Sequence, residues 1–282
     1  GGTVWVRERL DTDQGPFSSS PTASTIAGHG VIMLGEETFT PINQQAANLV
    51  NDGLITTALP GTLPGETLII RDSPNEFGNV DLDGDWEDQP GESSTGLVRV
   101  EWGDLEIWSD VTDSFDTGGA EPGILVGPGR TFTVRGDWTL GRNGDLQLNG
   151  GSFLDAAVVS DGNHSGTFIV HGDIEVPLGK RGHLATAVRL KADAEIDASG
   201  VLRLDGYTIF ESPEITGYAI EQYGDALIED NSEINAEVYD WDGDDGAPST
   251  VTLAPLVSFV ISPDPSRSEA LRIDYADGYD GI

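Results

Sequence analysis

Residues 81–88 read DLDGDWED, five carboxylates in eight positions, and residues 240–245 nearly repeat them as DWDGDD. Such a cluster suits three chemistries: a calcium loop, a catalytic carboxylate pair, or a hydrated acidic turn. A calcium loop of the EF-hand type takes carboxylates at positions 1, 3 and 5, a glycine at 6 and a bidentate glutamate at 12. Asp81, Asp83 and Asp85 fill the first three positions, and Asp240, Asp242 and Asp244 fill them again. Trp86 stands at the glycine position of the first stretch. In the second, Asp245 and Val251 stand at the glycine and glutamate positions. No helix-forming sequence flanks either stretch. The expectation is a solvated acidic turn with its counter-ion shell, and irregular Ca²⁺ or Mg²⁺ binding is the alternative.

Other residues are weighed the same way. Glycoside hydrolysis needs two carboxyl groups about 5–9.5 Å apart, and with 49 acids in the chain that test has little power. Lys180-Arg181 in PLGKRGHL is the only adjacent lysine–arginine pair, and His183 follows it. The pair offers an anion clamp or a base; the plainer reading is local charge balance at a corner. The four histidines show no HxH or HExxH spacing, so a zinc enzyme is not indicated. There is no GxSxG elbow and no GxxxxGK[ST] phosphate loop. Trp102, Trp108, Trp138 and Trp241 lie in or near strand-like runs. Facing outward they would stack on a pyranose; facing inward they would fill a core or a subunit interface. Asn163-His164-Ser165 is an N-glycosylation sequon.

The elements that must position these residues sit in an unusual composition. The chain has 282 residues, 14 basic and 49 acidic side chains and a formal charge of −35. Only Lys180 and Lys191 are lysines. Self-repulsion of this size opposes a compact state, and molar salt shortens the Debye length to about 3 Å and removes most of it. The composition resembles that of proteins from extreme halophiles. It argues against nucleic acid, whose phosphates would be repelled. Disorder is disfavoured because 37% of the residues are hydrophobic and alternate in short runs. There is no cysteine, hence no disulfide or thiol chemistry. No apolar run approaches the ~20 residues of a membrane span. The chain opens on Gly1-Gly2. Either a leader was cleaved, or the protein never used the secretory route, as a virion protein would not.

Three regions follow. Residues 1–62 are expected to form an N-terminal attachment or capping segment. They hold the one helix-like stretch, TPINQQAANLVNDG, with Thr40 as cap, Pro41 in the first turn and Gly53 as stop. Residues 63–246 alternate apolar and polar positions in short runs between Gly, Asp and Asn, the pattern of half-buried strands and tight turns. RVEWGDLEI, TFTVRGDWTL, TFIVHGDIEV and VLRLDGYTIF share a strand, a Gly-Asp or Asp-Gly step and a second strand. Anchored on Val100, Val134, Val170 and Leu204, they suggest a period of 34–36 residues, hence stacked units. Residues 247–282 are expected to form a C-terminal β cap or assembly segment.

The fold class is therefore all-β and repeat-built: a parallel β-helix, with a β-propeller or β-sandwich as alternatives. Segments such as GYAIEQYGDALIEDNSEINAEVYDWDGDDG place short strands at close intervals, with no Asn-Gly or Asp-Gly step before Asp242-Gly243. Over roughly residues 65–245 the chain resembles right-handed β-helix proteins of the pectin-lyase-like class, which includes viral tail spikes. That resemblance implies a homotrimer and a structural or adhesive protein on a virion or extracellular surface. Its partners would be itself, other virion or surface proteins, and a host-surface glycan or glycoprotein, with no membrane insertion. For that role Trp102, Trp108, Lys180 and Arg181 are the candidate ligand-binding residues, with Asn163 a candidate glycosylation site. The alternatives are a secreted polysaccharide lyase or hydrolase on the same fold, and a haloarchaeal cell-surface or S-layer-associated module.

Overall fold

A computed structural model describes residues 2–6, 9–11, 25–34, 48–51, 54–57, 66–72, 79–81, 97–108, 110–113, 123–142, 144–151, 155–160, 167–242, 250–255, 258–261 and 272–274. Among them the regular elements are all β-strands. Alternation sets them: TFTV at 131–134 buries Phe132 and Val134, DLQL at 145–148 buries Leu146 and Leu148, and TFIV at 167–170 buries Phe168 and Val170. Period-two burial is what a strand with one wet face demands.

Every pairing between the described strands is parallel. Propeller blades and sandwiches are built on antiparallel neighbours. Through most of the chain a strand pairs with the third strand after it. Leu68–Asp72 pairs with Leu105–Trp108, which pairs with Thr131–Val134. The chain thus visits three ladders in turn and returns to the first, a β-helix-like arrangement. The first ladder runs from Gly2–Val6 to Arg272–Asp274, the second from Arg9–Asp11 to Val251–Leu253, and the third from Thr25–Ala27 to Phe259–Ile261. Late in the chain, Glu195–Leu204, Glu214–Gln222 and Ser232–Asp242 each cross a corner and serve both the third and the first ladder.

The core lies inside the three ladders. In the third, register stacks Ile55, Val98, Ile124, Leu146, Ile174, Ile196, Ile215 and Ile234 into one buried aliphatic column, against which Ile26 packs partly buried. Each such burial contributes roughly 1.5–3 kcal/mol relative to exposure. The second ladder supplies Trp138, stacked on Phe168 at 4.1 Å between ring centroids and tilted against Phe132 of the first ladder at 5.0 Å. Trp138 is thereby a core residue, 1% exposed.

Two expectations need correction. Asn48, Leu49 and Val50, placed on a helix by the sequence pattern, form a strand in the second ladder, and Leu49 is fully buried. Pairing with Asn79–Asp81 there outweighs a local helical preference; residues 40–47 lie outside the described residues. The period is also different. In the first ladder Val4 meets Ile32 after 28 residues, Ile32 meets Ile70 after 38 and Ile70 meets Ile107 after 37. Later, Phe132 meets Val158 and Val158 meets Leu184 after 26 each, Leu184 meets Leu204 after 20 and Leu204 meets Gln222 after 18. Val100, Val134 and Val170 lie in the third, first and second ladders, so a step of 34–36 is one turn plus one face.

The Gly-Asp motif marks corners. At Gly103 an added Cβ would strike the Glu66 carbonyl oxygen, and at Gly206 the Thr186 carbonyl oxygen, so successive turns touch backbone to backbone there. The following aspartate can tie one turn to the next. Asp104 Oδ1 accepts the Thr131 N–H at 2.9 Å, Asp137 Oδ1 the Thr167 N–H at 3.0 Å and Asp225 Oδ1 the Thr250 N–H at 2.7 Å.

Candidate functional site

With the apolar residues turned inward, the chemistry lies on the outer faces, and the faces differ. On the third ladder, one outward column reads Asp145, Asp173, Glu195, Glu214, Glu233 in successive turns. Two residues along, the same strands present Gln147, Glu175, Asp197, Thr216 and Asn235. Seven carboxylates thus share one face of five turns, spaced by the ~4.8 Å between neighbouring strands. Among the described residues none of the seven has an arginine or lysine ion-pair partner. Gln147 Nε2 donates to Glu175 at 2.7 Å, and Asp197 accepts from the Ser199 N–H and hydroxyl. Asp145 is pushed up to about 6, first by burial and then by the charges of Asp173 and Glu175. Burial also raises Asp173.

The other two faces carry compensated charge. On the first ladder Arg181 reaches Asp155 at 2.8 Å and Glu221 at 3.5 Å. His183 Nε2 lies 2.7 Å from Asp205, which also accepts from Arg203 at 2.6 Å. Burial pushes the Asp205 carboxyl up, but the bonds from His183 and Arg203 outweigh it and hold it below the usual range. On the second ladder Arg189 pairs with Glu211 and Glu229, and Lys191 with Glu211 at 2.7 Å. Those two cations overcome the burial of Glu211 and lower it.

The residues singled out from sequence fall in separate places. Asp81 ends the strand Asn79–Asp81, and Asp83, Asp85 and Asp244 lie outside the described residues, as does Asn163. Asp240 and Asp242 are in the strand Ser232–Asp242, not a turn; Asp240 is in register with Glu221 and Arg272, and Asp242 with Asp274. Position twelve counted from Asp81 is Glu92, the residue type a calcium loop requires, so the first stretch departs from that pattern at Trp86. Among the described residues no three acids or histidines converge as a metal site.

Trp102 is 51% exposed at the corner after Leu97–Val100, where Thr57 Oγ1 accepts the N–H groups of Glu101, Trp102 and Gly103. Trp108 is half-buried. Arg135 lies 3.6 Å and Arg71 5.2 Å from the centre of its ring, and its Nε1 donates to Glu106 at 2.9 Å. Lys180 sits in the tight turn 177–180, beside Leu178, which is 82% exposed.

At the far end of the acidic face is an open groove of about 420 Å³. It is lined by the corner residues Ser212, Asn231 and Ser258 and the strand residues Glu214, Glu233, Asn235 and Val260. No family model, curated protein or solved structure matches this chain.

Sequence reasoning passed over both the carboxylate columns and this groove. A signal existed: DLQL, DIEV, EIDA, EITG and EINA, starting at 145, 173, 195, 214 and 233, each open with an acid, then an aliphatic, then a polar residue.

Proposed function

We propose that the chain is a parallel β-helix of the tail-spike or surface-adhesin kind. It would serve as a structural and adhesive component of a virion infecting a halophile, displayed on the outside and bound to the host surface. The observation that carries this reading is the sorting of outward side chains over one continuous core. One face holds seven carboxylates that have no arginine or lysine ion-pair partner among the described residues, and the other two hold ion pairs that bridge turns. Ten turns at about 4.8 Å give a body of roughly 45 Å, long enough to project from a particle. Its acidic face is tolerable where salt shortens the Debye length to about 3 Å. Self-association as a trimer, attachment to other virion proteins and recognition of a surface glycan belong to the same proposal.

Light scattering in roughly 3 M KCl, where screening is nearly complete, tests assembly, and co-sedimentation with haloarchaeal envelopes tests adhesion. The expected result is a trimer that sediments with envelopes and releases no reducing ends or unsaturated sugars. A monomer that turns over envelope polysaccharide would overturn the proposal in favour of a polysaccharide-degrading enzyme.

A further inference from the structure

The groove at the end of the acidic face has a chemistry the rest of that face lacks. Glu214 and Glu233 are partners in register and exposed, and their carboxylates take no hydrogen bond or ion pair from any described residue. Asn235 stands one turn of alternation beyond Glu233 on the same face and is equally unengaged among the described residues. Asn231 is fixed: its Oδ1 accepts the Ser258 N–H at 2.8 Å and the Ser258 hydroxyl at 2.9 Å. A backbone donor settles which end of that amide is oxygen, so the Nδ2 donors are left for a ligand. Val260, 46% exposed, adds an aliphatic surface in register with Glu233.

These groups define the occupant by exclusion and by fit. An anion would meet two carboxylates. A bare calcium ion needs six to eight oxygens converging at 2.3–2.6 Å, and among the described residues no such convergence of acids exists. The volume, about 420 Å³, falls in the ~300–1,000 Å³ range of small-molecule sites. What the lining requires is a neutral body that donates to carboxylates, accepts from an amide and rests a C–H face on Val260. Hydroxyl groups on a pyranose ring do all three. Such recognition also survives strong salt, which screens ion pairs but not hydrogen bonds between a neutral ligand and its site.

We propose that this groove binds a single neutral, hydroxyl-rich sugar unit through Glu214, Glu233, Asn231 and Asn235. The proposal deepens the adhesion reading above and rests on it, by giving attachment a place and a ligand class.

The test is saturation-transfer NMR of the full chain in molar KCl with glucose, galactose, mannose and N-acetylglucosamine, each at millimolar concentration. Transfer to the ring protons of at least one sugar is expected, unchanged by chelator. Glu233→Gln and Asn235→Ala should each weaken it, the former by about tenfold or more because a charged acceptor is lost. Leu178→Ala, at an exposed corner outside the groove, should leave it unchanged. Both groove residues are exposed, and melting curves will report that the variants remain folded. No transfer from any of the four sugars, transfer unaltered by both groove variants, or transfer that requires calcium would each overturn the proposal. Envelope co-sedimentation run in parallel separates the two readings. Attachment without sugar binding overturns the groove alone, and sugar binding without attachment overturns the adhesion reading alone.

Discussion

Asp173 stands in the carboxylate column between Asp145 on one side and Glu195 on the other. At a strand separation of about 4.8 Å, two unit charges repel by roughly 0.9 kcal/mol in water. A Debye length of ~10 Å at 0.1 M salt leaves about six-tenths of that, and ~3 Å at 1 M leaves about a fifth. Two neighbours therefore place about 1 kcal/mol on Asp173 at low salt and about 0.3 kcal/mol in molar salt. Asp173→Asn removes the charge and keeps the shape, and among the described residues the carboxylate accepts no hydrogen bond that would be lost. The variant should be more stable than the parent at 0.1 M salt, by about 2–4 °C in Tm for a chain of this size. In molar salt the gain should shrink to under about 1 °C. Calorimetry at the two salt concentrations measures this. A second readout is the Asp145 carboxyl, which should titrate below about 6 once the Asp173 charge is gone, its burial remaining. A Tm gain of equal size at both salts, or a loss at low salt, would refute the reasoning.

Other consequences can be tested together. Because Asp145 titrates near 6 in the fold against an ordinary 3.8, the folded chain holds a proton between those values that the unfolded chain has lost. That contribution should raise stability as pH falls from about 7 toward about 4. Melting curves should show the rise, and Asp145→Asn should flatten it. Asp205 and Glu211 are held below their usual range, so their contribution is present above about pH 4 and fades only at more acid pH. Asp205→Asn should remove that acid-side loss together with part of the stability, read by the same curves. Gly206→Ala would set a methyl against the Thr186 carbonyl and should cost about 3 kcal/mol or more in denaturant melts. Phe168→Ala would leave a void beside Trp138 and should cost about 3–5 kcal/mol, with a change in tryptophan fluorescence.

Much of the fold could be read from alternation. TFTV, DLQL and TFIV each announce a strand with one wet face, whereas Asn143-Gly144, Asn149-Gly150 and Asp205-Gly206 suit hairpins as well as corners, so the parallel pairing was less plain. The Gly-Asp steps were visible too, but their meaning was not, because a close backbone approach at Gly103 or Gly206 is a relation between turns. The period stayed hidden because the turns are unequal. The five acid-aliphatic-polar motifs recur after 28, 22, 19 and 19 residues, and no fixed spacing aligns them. The site suffered for the same reason: Glu214 and Glu233 become neighbours only once the register is known. Local propensity misled at Leu49, where pairing across turns decides. Tryptophans offered no orientation of their own, so Trp138 in the core and Trp102 in solvent read alike in sequence.

The unequal turns have a bearing on the order of events in folding. Pairing Leu204 with Gln222 closes 18 residues, whereas pairing Ile32 with Ile70 closes 38. Each doubling of a closed loop costs about 0.6 kcal/mol in chain entropy, and the long strands from Glu195 to Asp242 repay each closure with eight paired residues. Nucleation belongs in that stretch, with the remaining turns added outward in both directions, as in other one-dimensional stacks. In pulse-labelled hydrogen exchange, amides between 195 and 242 would gain protection first and those of the early, long-looped turns last, a zipper that starts near its C-terminal end and runs backward along the chain.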